Sequence, residues 1–163
     1  MDFLMILVTL GTQDKPFGRL LETIDNLIDL KIINEEVIVQ AGLTKYRSSN
    51  MQIFDFLSTI EFNEILNRAD IVISHGGVGT IISAIKANKP VIAAPRLKAY
   101  GEHTNDHQVE IIKKLSNDGC ILPLWKMDEL TDTLRLARSF IPKPFASNTD
   151  NIINLITTYI DKR

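Results

Sequence analysis

The residues best suited to chemistry fall in two short stretches. The first, Ser74-His75-Gly76-Gly77-Val78-Gly79-Thr80, follows the apolar run Ile71-Val72-Ile73. Gly76, Gly77 and Gly79 have no Cβ to hold a ligand away from the backbone, so their amide N–H groups can approach an anion closely. A helix beginning near Gly79 and Thr80 adds roughly half a positive charge at its N-terminus, which favours a diphosphate there. The second stretch is Gly101-Glu102-His103-Thr104-Asn105-Asp106-His107-Gln108. In it, Glu102 and His103 are the candidate bases for a hydroxyl proton. Plainer roles stand beside these: His75 as a brace for the turn, and Arg96 and Lys98 as solvated loop charges instead of phosphate partners. His103 and His107 are four apart, but the expected helix starts between them, so they need not share a face and no metal is expected.

Elements must exist to present these stretches, and the composition allows them. The chain has 163 residues, 45% hydrophobic and 23% charged, enough for one globular domain over 1–163 with one substantial core. A net charge of -2 argues against broad electrostatic binding to nucleic acid. The lone Cys120, in the apolar run Cys120-Ile121-Leu122, excludes an internal disulfide and reads as a small core residue. No basic segment precedes the apolar residues 3–10, and no run reaches the roughly 18 apolar residues that cross a bilayer, so 3–10 reads as a strand. Any membrane association is then expected through a surface or a partner.

Strands and helices alternate along the chain. Strands are expected over 3–10, 36–41, 51–57, 70–74, 90–94 and 120–122. The first helix starts near Pro16, with Phe17, Leu20, Leu21, Ile24, Leu27 and Ile28 at helical spacing. Ser58 and Glu61 have capping-box spacing ahead of Phe62, Ile65, Leu66 and Ala69. Further helices are expected over 80–88, from about Asn105 with Val109, Ile112 and Leu115 inward, and through Met127, Leu130, Leu134 and Ala137. A last one, about 149–159, has a broad apolar face that suits a contact beyond its own domain. Such alternation predicts a three-layer α/β fold with a mainly parallel sheet and ligands outside the carboxyl ends of the strands. Three polar loops then share one rim: 11–14, 75–80 and 96–108.

Two common nucleotide-binding patterns do not fit. A dinucleotide oxidoreductase places G-x-G-x-x-G after its first strand, where this chain has Gly11-Thr12-Gln13, and no G-x-x-x-x-G-K-[ST] occurs. The combination present here, SHGGVGT, Ala94-Pro95-Arg96 and GEHTNDHQ, resembles the C-terminal, donor-binding domain of family 28 glycosyltransferases. The resemblance is strongest to short one-domain subunits: those of bacterial exopolysaccharide and capsule transferases, and the eukaryotic subunit that adds the second GlcNAc to dolichol-linked glycan. It runs from VTLGTQ to the end of the sixth strand and implies a Rossmann-like parallel sheet equivalent to the C-terminal half of a GT-B glycosyltransferase.

That resemblance implies a donor UDP-sugar whose diphosphate faces His75, Gly76, Gly77, Gly79 and Thr80, with Gly11, Thr12 and Gln13 close by. Arg96 is a further candidate for the phosphate, and Asn105, Asp106, His107 and Gln108 would contact the sugar hydroxyls. Relatives often hold the ribose with a glutamate where this chain has Ser83. No Asp-x-Asp is present, so no metal cofactor is expected, and helix-end amides would stabilise the leaving diphosphate in an inverting displacement. Members with a complete site use two α/β domains, the first binding the acceptor. The resemblance therefore implies a catalytic subunit that needs a membrane-associated, acceptor-binding partner. It would transfer galactose or glucose to a lipid-diphosphate-linked glycan at the cytoplasmic membrane face. The alternatives are a nucleotide-sugar-binding regulatory or scaffold subunit without catalytic duty, and an epimerase or hydrolase acting alone.

Overall fold

The computed structural model describes residues 4–144, so the helix expected at 149–159 lies outside them. Six strands form one sheet: β1 (Met5–Thr9), β2 (Glu36–Gln40), β3 (Gln52–Phe54), β4 (Ile71–Ser74), β5 (Val91–Ala93) and β6 (Leu122–Pro123). Their order is β3-β2-β1-β4-β5-β6, and every neighbouring pair is parallel. This is the doubly wound arrangement in which the strand order reverses between the first and fourth strands, leaving a crevice beyond their carboxyl ends. β1 and β4 are buried along their whole length, as apolar runs without alternation require of central parallel strands.

Five helices cover the two faces: α1 (Gly18–Asp29), α2 (Thr59–Arg68), α3 (Val78–Lys86), α4 (His107–Asn117) and α5 (Leu130–Ala137). Ile6 and Val8 of β1 pack with Leu20 and Ile24 of α1 and Leu130 and Leu134 of α5. Met5 and Leu7 point to the other face, among Leu66 of α2, Ile81 and Ile85 of α3, and Ile112 and Leu115 of α4. The period-2 alternation of β1 thus serves two cores at once. The expected capping box opens α2: Ser58 Oγ accepts from the Glu61 N–H, and Glu61 accepts from the Ser58 N–H at 2.8 Å.

Four boundaries differ from the sequence-based expectation. α3 starts at Val78, two residues before Thr80, so Gly79 and Thr80 lie inside its first turn. α4 starts at His107, because the Asn105 side chain accepts from the His107 N–H and closes a turn ahead of the helix. The last strand begins at Leu122 because Cys120 is held in the C-terminal cap of α4. The Cys120 N–H donates to Leu115 O and the Gly119 N–H to Ser116 O, with Gly119 at φ +78, a paired cap that removes Cys120 from the sheet. β3 is also shorter than 51–57: its sheet pairing ends at Phe54, and Gln40 Oε1 holds the Leu57 N–H just ahead of the Ser58 cap. Among the described residues no helix is long and apolar enough to cross a membrane.

Candidate functional site

The loops after β1, β4 and β5 meet where the strand order reverses. His75, the first residue beyond β4, is buried, with Nδ1 3.2 Å from the Thr9 carbonyl oxygen. A carbonyl only accepts, so the ring proton sits on Nδ1 and the Nε2 lone pair is left over. Burial pushes the His75 pKa down to about 4, helped by the charges of Arg96 and His103 and opposed by the Thr9 carbonyl. The ring is therefore neutral near pH 7.

Two glycines make room for that ring. A Cβ on Gly11 would lie 2.4 Å from His75 Nε2, and one on Gly77 would lie 2.3 Å from the same atom. At Gly76, which has φ +88, a Cβ would meet Ile112 Cδ1 at 3.0 Å. Gly79 alone of the turn glycines has no neighbour within 4 Å of its Cβ position, and it is exposed. The turn glycines thus divide: Gly77, with Gly11 across from it, accommodates His75, Gly76 makes the turn against α4, and Gly79 keeps the surface open. Gly77 is the N-cap of α3 and supplies no side-chain cap, so the first-turn amides of Val78, Gly79 and Thr80 have no capping side-chain oxygen. Beneath them, Thr9 Oγ1 and Ser74 Oγ occupy paired positions on β1 and β4, both fully buried without a hydrogen-bond partner. Ser83 lies one turn along α3, its hydroxyl donating to Gly79 O at 2.9 Å.

The other candidate residues separate by what they touch. Thr12 is exposed, and the Gln13 side-chain amide meets His103 Nε2 at 3.1 Å, joining the first and fifth loops across the rim. His103 Nδ1 accepts from the Asn105 N–H at 3.2 Å, so its free lone pair is taken; burial is the main cause lowering its pKa. Asp106 is exposed and accepts from the Lys98 N–H, while His107 is half-buried at the start of α4. Gln108 is buried, with Oε1 accepting from the Arg96 N–H at 2.9 Å. Among the described residues no group of three His, Cys, Asp or Glu side chains is placed to hold a metal ion.

Arg96 and Glu102 face inward, away from the rim. Arg96 is fully buried, and its guanidinium donates to the carbonyls of Leu10, Lys15 and Glu102. The Glu102 carboxylate accepts from Arg19 Nε, from Arg19 Nη2 at 3.0 Å and from the Leu97 N–H at 2.9 Å. Both oxygens being engaged, Glu102 does not present a free base. Arg19, whose guanidinium lies 4.6 Å from the Tyr100 ring centroid, is a residue that the sequence did not single out. Its partner is 83 positions away, and no local pattern marks it. Gly42, at φ +59 with its Cβ position 2.1 Å from Gly11 O, was also missed as a spacer under the first loop.

The sequence model of the glycosyltransferase family 28 C-terminal domain matches residues 5–156. The chain belongs to this family. One relative, the UDP-N-acetylglucosamine transferase subunit ALG13 of Debaryomyces hansenii, is 33% identical over 87 residues, which are 53% of this chain and 38% of that protein. The match thus spans well under half of that relative's length. The solution structure of an ALG13 has 21% identity and a TM-score of 0.61, with 95% of each chain covered. The crystal structure of Os79 from O. sativa in complex with UDP has 15% identity and a TM-score of 0.62; it covers 95% of this chain and 35% of the Os79 chain. At these identities the structural likeness establishes the shared fold, that of the C-terminal half of GT-B glycosyltransferases.

Proposed function

We propose that this family 28 domain is the donor-binding, catalytic subunit of a two-component inverting UDP-sugar transferase, with the acceptor bound by a membrane-associated partner. The observation that carries this reading is the uncapped first turn of α3 at the strand-order reversal, opened at Gly79 and braced by a neutral His75. Preorganised amides there can take up the negative charge that develops on a leaving diphosphate. A structural neighbour described as a UDP complex and a relative described as a transferase subunit support the donor and the division of labour.

Glu102 is buried with both carboxylate oxygens engaged, and the His103 Nδ1 lone pair is taken, which favours a base supplied from the partner's side of the cleft. The same observation is what favours the second reading, a nucleotide-sugar-binding scaffold subunit. We take galactose or glucose onto a lipid-diphosphate-linked exopolysaccharide or capsule precursor as the transfer, at the cytoplasmic membrane face. UDP-GlcNAc is the competing donor, on the relative's name. Radiolabelled UDP-sugars supplied to lipid-linked acceptor with this chain, the partner, or both decide the matter. Transfer is expected only with both. Full-rate transfer by this chain alone contradicts the two-component reading, and a free sugar or epimerised nucleotide from this chain alone contradicts the transferase reading.

A further inference from the structure

A fully buried guanidinium behind loop 11–14 of the rim needs a reason. Arg96 has no exposed surface, yet its Nε is unpartnered and the rest of its guanidinium meets mainly backbone carbonyls. Taking a charge out of water costs several kcal/mol, on the order of what is seen for buried ions generally, and apolar packing often serves stability as well. The carbonyls it holds are placed unusually: Leu10 and Lys15 are the residues on either side of loop 11–14. Both ends of the loop bearing Gly11, Thr12 and Gln13 therefore hang on one side chain.

Charge balance adds a second observation. The nearest buried anion is Glu102, but Arg19 grips that carboxylate at two nitrogens, and Glu102 reaches Arg96 only through its backbone oxygen, at 3.4 Å. Arg19, Glu102 and Arg96 together thus hold one more positive than negative charge. Asp14, which also acts on Arg96, is exposed, where solvent screens it. The Arg96 charge is felt at His75, whose proton affinity it lowers.

We infer that Arg96 is a positioning residue for the anion seat: from beneath the rim it fixes loop 11–14 and supplies a permanent desolvated positive charge, without touching the ligand. This rests on the reading that the rim binds a nucleoside diphosphate sugar. Preorganised charge of this kind acts on the diphosphate and not on the nucleoside, because only the former is anionic.

The test compares UDP with uridine by calorimetric titration of the full chain. Arg96→Met is expected to weaken UDP about tenfold and uridine by less than about threefold, since only the charged ligand feels the lost cation. Glu102→Gln removes the anion and leaves both guanidinium groups, so UDP is expected to bind about threefold more tightly with uridine unchanged. Structural damage alone weakens both ligands in both variants. A UDP-to-uridine ratio that stays constant, or weaker UDP binding by Glu102→Gln, overturns the inference. Should Arg96→Met fail to fold in a thermal melt, the gain in Glu102→Gln decides alone. A wild type that binds UDP with unmoved variant ratios refutes only the role of Arg96; one that binds neither ligand refutes the donor reading as well.

Discussion

Gly77→Ala is expected to lose roughly 1–3 kcal/mol of stability in urea denaturation, while Gly79→Ala, two residues on, gains about 0.5–1 kcal/mol. The backbone is not the cause of the first effect, since Gly77 has φ -70, which any residue adopts. The cause is the His75 ring, whose Nε2 and Cε1 would lie 2.3 and 2.4 Å from the new methyl. That ring has little freedom to step aside, because it is buried beside Gly11, where even an added Cβ would find no room, and Nδ1 is tied to the Thr9 carbonyl. Alanine at 79 meets no atom within 4 Å and restricts the unfolded chain inside a helix, which accounts for the gain. The same methyl stands at the mouth of the proposed seat, so donor affinity should fall as stability rises. Equal stability of the two variants contradicts the sandwiched ring.

The second large effect is a pH dependence. His75 has a folded pKa of about 4 against an ordinary value near 6.5, so the unfolded chain binds the proton more tightly. Its contribution is full above about pH 6.5, falls as the pH drops through the interval, and is lost below about 4. The integrated loss is about 3 kcal/mol. His103 is lowered as well and adds a loss of the same sign, while the lowered carboxylates Asp25 and Glu35 act in the more acid range. Comparison with His75→Asn, which keeps a donor for Thr9 O, isolates the ring. Between pH 7 and 4 the wild type should lose about 3 kcal/mol more than the variant, and parallel curves show that the ring titrates normally.

Much of the rim was legible because its signals are local. Glycines after an apolar strand, a capping box and strand-helix alternation are written in neighbouring residues, and they place loops 11–14, 75–80 and 96–108 at one edge of a parallel sheet. What each glycine does was not legible. Beside the shared reading of Gly76, Gly77 and Gly79 as amide donors stand separate packing jobs, because the His75 ring lies against both Gly77 and Gly11, the latter 64 positions away. Arg96 and Glu102 drew attention as charges in a polar loop. Their burial follows from Leu10, Lys15 and Arg19, partners more than 80 positions away, which no pattern in 96–108 reveals. Cys120 and Ile121 were misread as strand because Cys120-Ile121-Leu122 is apolar, whereas the left-handed Gly119 before them belongs to the cap of α4 and the strand starts only at Leu122.

The most direct measurement on the donor site is a thermal-shift titration of the wild type and Gly79→Ala with UDP, the UDP-sugars and NAD, with and without EDTA. At about 100 times the dissociation constant a bound ligand stabilises the fold by roughly 2.7 kcal/mol, a shift of a few degrees. The expected result is an EDTA-insensitive shift of the wild type with uridine diphosphates, none with NAD, and a titration midpoint at least about tenfold higher in Gly79→Ala, one power of ten being about 1.4 kcal/mol of lost contact. A wild type that melts cooperatively but does not shift with any uridine diphosphate, or a Gly79→Ala that titrates like the wild type, contradicts a donor seat at the first turn of α3.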